Sequence, residues 1–226
     1  MGLSGGISSP PVTLGRTMSR RAPLRFDGHI LGAAFSSGDR FVLGRWPVSP
    51  LGGFADVMWA RPDGERILLA GPVPVLDFVG RHYHFDRREH AVVRVDLEPG
   101  RRIRVVAGSL RMELEAGPAG GVSRLLRLRP RRLRERPSWI AFEDTLLRPL
   151  IAPWIGGGRG VRTRGVTAAG TREWYAIHDL RPLVRGRATV DGEDLGHMTP
   201  AHAAGFGFSE FPGRAALVRV TALFEA

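Results

Sequence analysis

Apolar and polar residues alternate at every second position along much of this chain. The pattern is cleanest over 110–115, where Leu110, Met112 and Leu114 share one face and Arg111, Glu113 and Glu115 the other, as in a half-buried strand. Turn residues punctuate such segments. Pro62-Asp63-Gly64 separates 54–60 from 67–70, Pro99-Gly100 separates 91–97 from 102–107, and Asp191-Gly192 follows 187–190. Segments 26–35 and 41–46 read as early strands, 161–167 and 171–178 as a hairpin, and Pro212-Gly213 divides 206–211 from 215–224. Leu126-Arg127-Leu128-Arg129 alternates like a charged edge strand.

Only two segments carry helical spacing. Over about 74–83, Val75, Phe78, Val79 and His82 recur behind a proline suited to a first turn. Over about 138–150, Trp139, Phe142, Leu146 and Leu150 make one stripe with Glu143 and Asp144 facing away. The expected fold is mostly β (β-rich α+β), an antiparallel meander closing into a barrel or strongly bent sheet to hide its edges, with these two short helices. Residues 25–226 read as one domain, preceded by a basic, acid-free tail over 1–24.

Composition removes whole reaction classes. All thirty-three basic residues apart from the histidines are arginine, and lysine, asparagine, glutamine and cysteine are absent. A Schiff-base lysine, a phosphate-loop lysine, a thiolate nucleophile, a disulfide and a cysteine-ligated zinc are therefore excluded. Lysine and asparagine codons are rich in A and T, so the bias points to a GC-rich bacterial genome. A hyperthermophile would instead enrich Lys and Glu. No uncharged stretch approaches the roughly twenty apolar residues of a membrane span, which leads to the expectation of a cytoplasmic protein.

The net charge of +11 is concentrated rather than spread. Arg16, Arg20, Arg21 and Arg25 precede the first acid, Asp27, and the block 122–136 holds Arg124, Arg127, Arg129, Arg131, Arg132, Arg134 and Arg136 against Glu135 alone. Guanidinium forks suit phosphate and carboxylate, so this block is a candidate surface for an anionic partner, whether RNA, a phosphorylated ligand or a membrane surface. Its plainer reading is a solvated edge partly neutralised by Glu143 and Asp144. Absent Asn and Gln, base-specific reading of adenine is disfavoured.

His82, His84 and Asp86 alternate, with His90 close behind, and on an extended strand they would present ligands suited to zinc or iron. If His82 ends a helix instead, that alignment is lost. Asp56 interrupts an apolar strand between Phe54 and Met58, with Val57 and Trp59 on the alternate face. The plainer reading is a solvent-facing or arginine-paired carboxylate; if it is buried, desolvation would raise its pKa into a range useful for proton transfer. In 173–179, Glu173, Tyr175 and Ile177 share one face while Trp174 and His178 share the other, so no acid–base pair of Glu173 with His178 is expected. Gly156-Gly157-Gly158-Arg159-Gly160 matches neither the phosphate loop nor the dinucleotide fingerprint, and no serine sits in a nucleophile elbow.

Barrels of this kind enclose cavities lined by alternating side chains, so a small, partly apolar ligand inside or at the mouth of the barrel is expected. A lipocalin-type barrel is an architectural analogy that carries no function. The candidate lining is Trp46, Asp56, Met58, Trp59, Trp174 and Tyr175. An anion-binding module built on the arginine block and a carboxylate- or histidine-dependent enzyme are the alternatives. No motif calls for a cofactor.

Overall fold

The computed structural model describes residues 22–130, 132–147 and 160–225. Residues 1–21 of the basic tail, Arg131, and residues 148–159, with the end of the expected second helix and most of the glycine run, lie outside it. β1 (Leu24–Phe35), β2 (Arg40–Val48), β3 (Phe54–Ala60) and β4 (Arg66–Ala70) form an antiparallel meander. The Asp63-Gly64 turn closes as its sequence requires, with Gly64 at φ 94°. α1 (Val73–His82) carries the chain back so that β5 (Arg87–His90) lies parallel to β4. A second meander follows in β6 (Val93–Leu97), β7 (Arg102–Ala107) and β8 (Leu110–Ala116).

The chain then covers the sheet with α2 (Gly121–Arg127) and α3 (Pro137–Phe142), the latter running into a π-helical turn over Glu143–Leu147. β9 (Arg164–Val166), β10 (Arg172–Val190), β11 (Glu193–Asp194), β12 (Met198–Thr199) and β13 (Ala216–Glu225) complete a 13-stranded sheet. Its main path runs β5-β4-β3-β2-β1-β13-β10-β8-β7-β6. The expected meander thus holds within each half, and β13 and β10 join the halves. Among the described residues no helix is long and apolar enough to cross a membrane.

The sheet curls into a half-barrel because one face of each half is apolar and each needs the other to leave water. Leu31, Leu43, Val57 and Ile67 from the first meander meet Ile103, Val105, Met112 and Leu114 from the second, all nearly inaccessible to solvent. Arg45 donates from Nε to the carbonyl of Val95 at 3.0 Å, tying β2 to β6 across the gap. The opposite face of β1–β3 is covered by α1, the α2–α3 segment and the loop before β13.

β10 is the hinge of this arrangement. Its first part, Arg172–Pro182, pairs with β13, while Leu183–Thr189 pairs with β8 on the other edge. β9 takes only the first three residues of that second edge. The gap between is covered by the α2–α3 segment: the Ser123 hydroxyl accepts from the Leu180 amide at 3.2 Å and donates back to its carbonyl, and the Arg129 guanidinium bonds the carbonyl of Ile177. These contacts satisfy backbone groups that would otherwise be stranded.

Three expected elements differ. Residues 126–129 end a helix and do not form an edge strand: Val122 and Leu126, one turn apart, reach the same cavity, and four alternating residues are too few to distinguish the two periods. Residues 206–211 form no strand. Phe206 and Phe211 instead turn toward the same cavity, and the Phe206 carbonyl accepts from the His84 amide at 2.7 Å. In the second helix and the π-helical turn that follows it, Ile140 and Asp144 are buried, whereas Phe142 and Leu146 are exposed, because the helical register changes after Phe142. Glu143 and Asp144 therefore do not face away: both line the cavity, and Asp144 accepts from the Thr163 amide at 2.8 Å.

At the Gly28 position a Cβ would drive into the main-chain carbonyl of Arg45, where the β1–β2 register shifts. Gly28→Ala is expected to cost about 2–3 kcal/mol by overpacking against immobile backbone. Urea unfolding followed by circular dichroism measures it, and an unchanged midpoint would show that the bulge absorbs the methyl.

Candidate functional site

The cavity between the sheet and its covering segments has a volume of about 500 Å³. Its floor follows from strand alternation. Val42, Gly44 and Trp46 on β2 and Asp56 and Met58 on β3 point to one side, with Gly44 directly opposite Asp56 in the register. Tyr175 and Ile177 continue the floor on β10, and Phe78 and Val79 of α1 form a wall. Phe26 anchors the aromatic part, stacked on Phe78 with ring centroids 5.1 Å apart and edge-on to Trp46 and Phe224.

Asp56 is 1% exposed, and its Oδ1 has no hydrogen-bond partner among the described residues. Burial pushes its pKa up to about 7, against the opposing influence of the neighbouring Trp46 indole. Gly44 makes room for this arrangement, since a Cβ there would collide with both the Asp56 carboxyl and the Trp46 indole nitrogen.

A second buried acid lies behind the cavity wall. Tyr83, the residue that ends α1, donates from its hydroxyl to Oε1 of Glu173 at 2.7 Å and accepts from the Tyr175 hydroxyl at 2.9 Å. Glu173 is 1% exposed, its Oε2 has no partner among the described residues, and burial raises its pKa to about 7. Desolvation, reinforced by the Glu173 charge, drives both phenols well above their usual range, so they remain neutral donors. Asp56 adds to the rise at Tyr175, which links the two acids through the tyrosine pair.

Four of the six expected lining residues, Trp46, Asp56, Met58 and Tyr175, therefore meet in one cavity. Trp59 and Trp174 do not, because they occupy the alternate faces of their strands. Trp59 stacks on Phe41 with centroids 5.7 Å apart and donates to Asp39 at 2.7 Å; Trp174 packs with Ile140, Ala176 and Leu223. Tyr83 carried no signal in the sequence, being a helix-terminal tyrosine ninety positions before its partner. Glu173 and Tyr175 share a face as the alternation implied.

The metal-ligand alignment is lost. His82 belongs to α1, where its Nδ1 lies 2.7 Å from the Phe78 carbonyl and its ring packs on Phe78 and Phe224. Asp86 is paired with Arg66, and among the described residues no three His, Asp or Glu side chains converge on a metal position.

The described arginines of the block do not converge. Arg129 is buried against Glu143 at 2.6 Å and lines the apolar cavity, whereas Arg127 and Arg134 face a separate pocket. Arg124, Arg132 and Arg136 are exposed. Arg25, assigned by sequence to the basic flank, lies in β1 and bridges Glu135 at 2.6 Å.

The site and fold together define a curled β half-barrel with a buried acid–tyrosine cluster on an apolar cavity. Comparisons with protein-family models, with curated proteins and with solved structures give no match.

Both raised carboxyl pKa values bear on stability. Between the unfolded values near 4 and the folded values of about 7, the native protein binds more protons than the unfolded chain, so stability is fully present below pH 4 and falls as pH rises through 7. Each acid accounts for roughly 3–4 kcal/mol over that window. Asp56→Asn is expected to flatten the decline in urea-measured stability between pH 4 and 7. An unchanged slope would place the Asp56 pKa near its ordinary value.

Proposed function

We propose that the protein binds a small, largely apolar molecule in the cavity over Trp46, Asp56, Met58 and Tyr175, with Asp56 recognising a single hydroxyl or amino group on it. The observation that carries this reading is a fully buried carboxyl, with the Trp46 indole as its neighbouring donor and one oxygen short of a geometric hydrogen bond among the described residues, in the wall of a cavity lined mainly by aromatic and aliphatic side chains. Such a group costs free energy unless something donates to it. A volume of about 500 Å³ lies within the range of small-molecule sites. The ligand sits on the helix-covered face of the sheet, in contrast to the interior of a lipocalin-type barrel, and we take the setting to be cytoplasmic.

One observation favours a second reading, acid–base catalysis on the bound molecule. Two carboxyls with pKa values of about 7 lie in one cluster, Glu173 hydrogen-bonded to a pair of neutral phenols and Asp56 acting on Tyr175 through its charge, an arrangement able to hold a proton near neutral pH.

Fluorescence titration with 1-aminoanthracene, an apolar aromatic amine, tests the binding site. Saturable binding is expected, weakened about tenfold in Asp56→Asn through loss of a charge-assisted hydrogen bond, and abolished in Met58→Trp, which fills the cavity. Affinity indifferent to both substitutions would reject the assignment.

A further inference from the structure

A second pocket, of about 490 Å³, opens on the concave side of the sheet. Ile103, Ala116, Leu97 and Leu217 form its apolar floor and belong to, or pack directly on, the half-barrel core, so it continues the barrel interior toward solvent. Around that floor stand Arg101, Arg102, Arg127, Arg134, Arg181 and Arg219, against two carboxylates, Glu98 and Asp179. Both carboxylates are already engaged: Glu98 with Arg104 at 2.9 Å, Asp179 with Arg181 at 2.9 Å and Arg127 at 3.7 Å. Arg101, Arg102, Arg134 and Arg219 have no ion pair among the described residues.

The pocket is built by the fold and is not an accident of surface charge. In β10 the register slips between Ile177 and Asp179, making His178 the extra residue of a bulge. The slip inverts the alternation. Tyr175 and Ile177 face the apolar cavity before it, and Leu180 after it, while His178, Asp179 and Arg181 all turn to the concave side. His29 and Arg219 are cross-strand partners on β1 and β13 and enter the same pocket.

His178 supplies an independent mark of a ligand. Its side chain is 7% exposed, yet Nδ1 has no partner among the described residues. Thr221 donates its hydroxyl to Asp27 at 2.6 Å and so accepts from Nε2 of His178 at 2.9 Å. That leaves Nδ1 for a ligand, as acceptor from a P–OH or, once protonated, as donor to an oxyanion. The Nε of Arg134, likewise buried, also lacks a partner.

We propose that this pocket binds a small soluble molecule carrying phosphate groups, its anionic end held by Arg134, Arg219 and His178 and its apolar part resting on Leu97, Ile103 and Leu217. Arginine forks match phosphate oxygens in pairs, and an excess of unpaired guanidinia around an apolar floor suits a ligand with both characters. The depth of the wall formed by His178 favours a small molecule over a polymer or membrane surface, which would engage the exposed Arg124, Arg132 and Arg136 equally.

Inorganic pyrophosphate is the probe, titrated calorimetrically into the full chain at constant ionic strength. Saturable one-to-one binding is expected, weakened about tenfold or more by Arg134→Ala and by Arg219→Ala through loss of charge-assisted hydrogen bonds. Arg101→Ala, on an exposed hairpin tip, weakens it without risk to the fold. Arg124→Ala/Arg132→Ala, which removes more charge from outside the pocket, and Asp56→Asn, in the other cavity, leave it unchanged. Absence of saturable binding, an equal loss in the Arg124/Arg132 control, or arginine-dependent binding to phosphatidylglycerol vesicles with none to pyrophosphate would each overturn the proposal.

Discussion

One strand shared between two half-sheets constrains everything else in this molecule. β10 is 19 residues long and exchanges its partner from β13 to β8 at Pro182–Leu183, so it must bend, and part of one edge must go without a strand neighbour. Proline suits such a point because it has no amide to offer a ladder. The uncovered edge is made acceptable by Ser123 and Arg129, which reach it from the α2–α3 segment. That segment is thereby pinned where it closes the apolar cavity on one side and contributes Arg127 and Arg134 to the cationic pocket on the other. A single backbone requirement thus positions parts of both sites.

The two sites hold charge differently, and the sheet lies between them. On the covered face arginines and acids both line the cavity, and the deepest carboxyls are largely suppressed: Asp56 and Glu173 lie in a medium that favours their neutral forms, and the neutral Tyr83 phenol satisfies part of the hydrogen-bonding capacity of Glu173. On the concave face the charge is positive and retained, because guanidinia stay ionised under almost any burial and most of these remain in contact with solvent. Desolvation also lowers the pKa of His178, to about 4, with the surrounding arginines adding to the effect against Glu135. The basic excess of the chain is therefore partly structural, as in Arg25 and Arg129, and partly gathered at one mouth of the fold.

Much of the cavity was legible from local pattern. Asp56 interrupts an apolar run at a position whose neighbours Phe54 and Met58 face the same way, and a carboxylate so placed is either exposed or exceptional. Glu173 and Tyr175 share a face by simple alternation. Trp59 and Trp174 are large aromatics one step out of phase with the cavity, and each packs in a different apolar cluster. Tyr83 and the loop carrying Phe206 and Phe211 depend on how a helix end and a long connection fall across the sheet, which no local period encodes. The cationic pocket was the least legible of all. Its members come from β1, the β6–β7 turn, the α2–α3 segment, β10 and β13, and three of them share a face only because of a bulge at His178.

The missing amides give the buried acids a chemical rationale. A cavity that must both donate and accept a hydrogen bond is served by Asn or Gln, whose neutral side chains carry both functions at any pH. This chain has neither. Its remaining neutral groups with both functions are hydroxyls and imidazole, and in the cavity the phenols of Tyr83 and Tyr175 are committed to Glu173 and to each other. A carboxyl whose pKa is held at about 7 recovers the lost versatility, because its protonated form donates and its ionised form accepts. Trading an amide for such an acid makes recognition sensitive to pH near neutrality, and that sensitivity is a direct consequence of composition acting through burial.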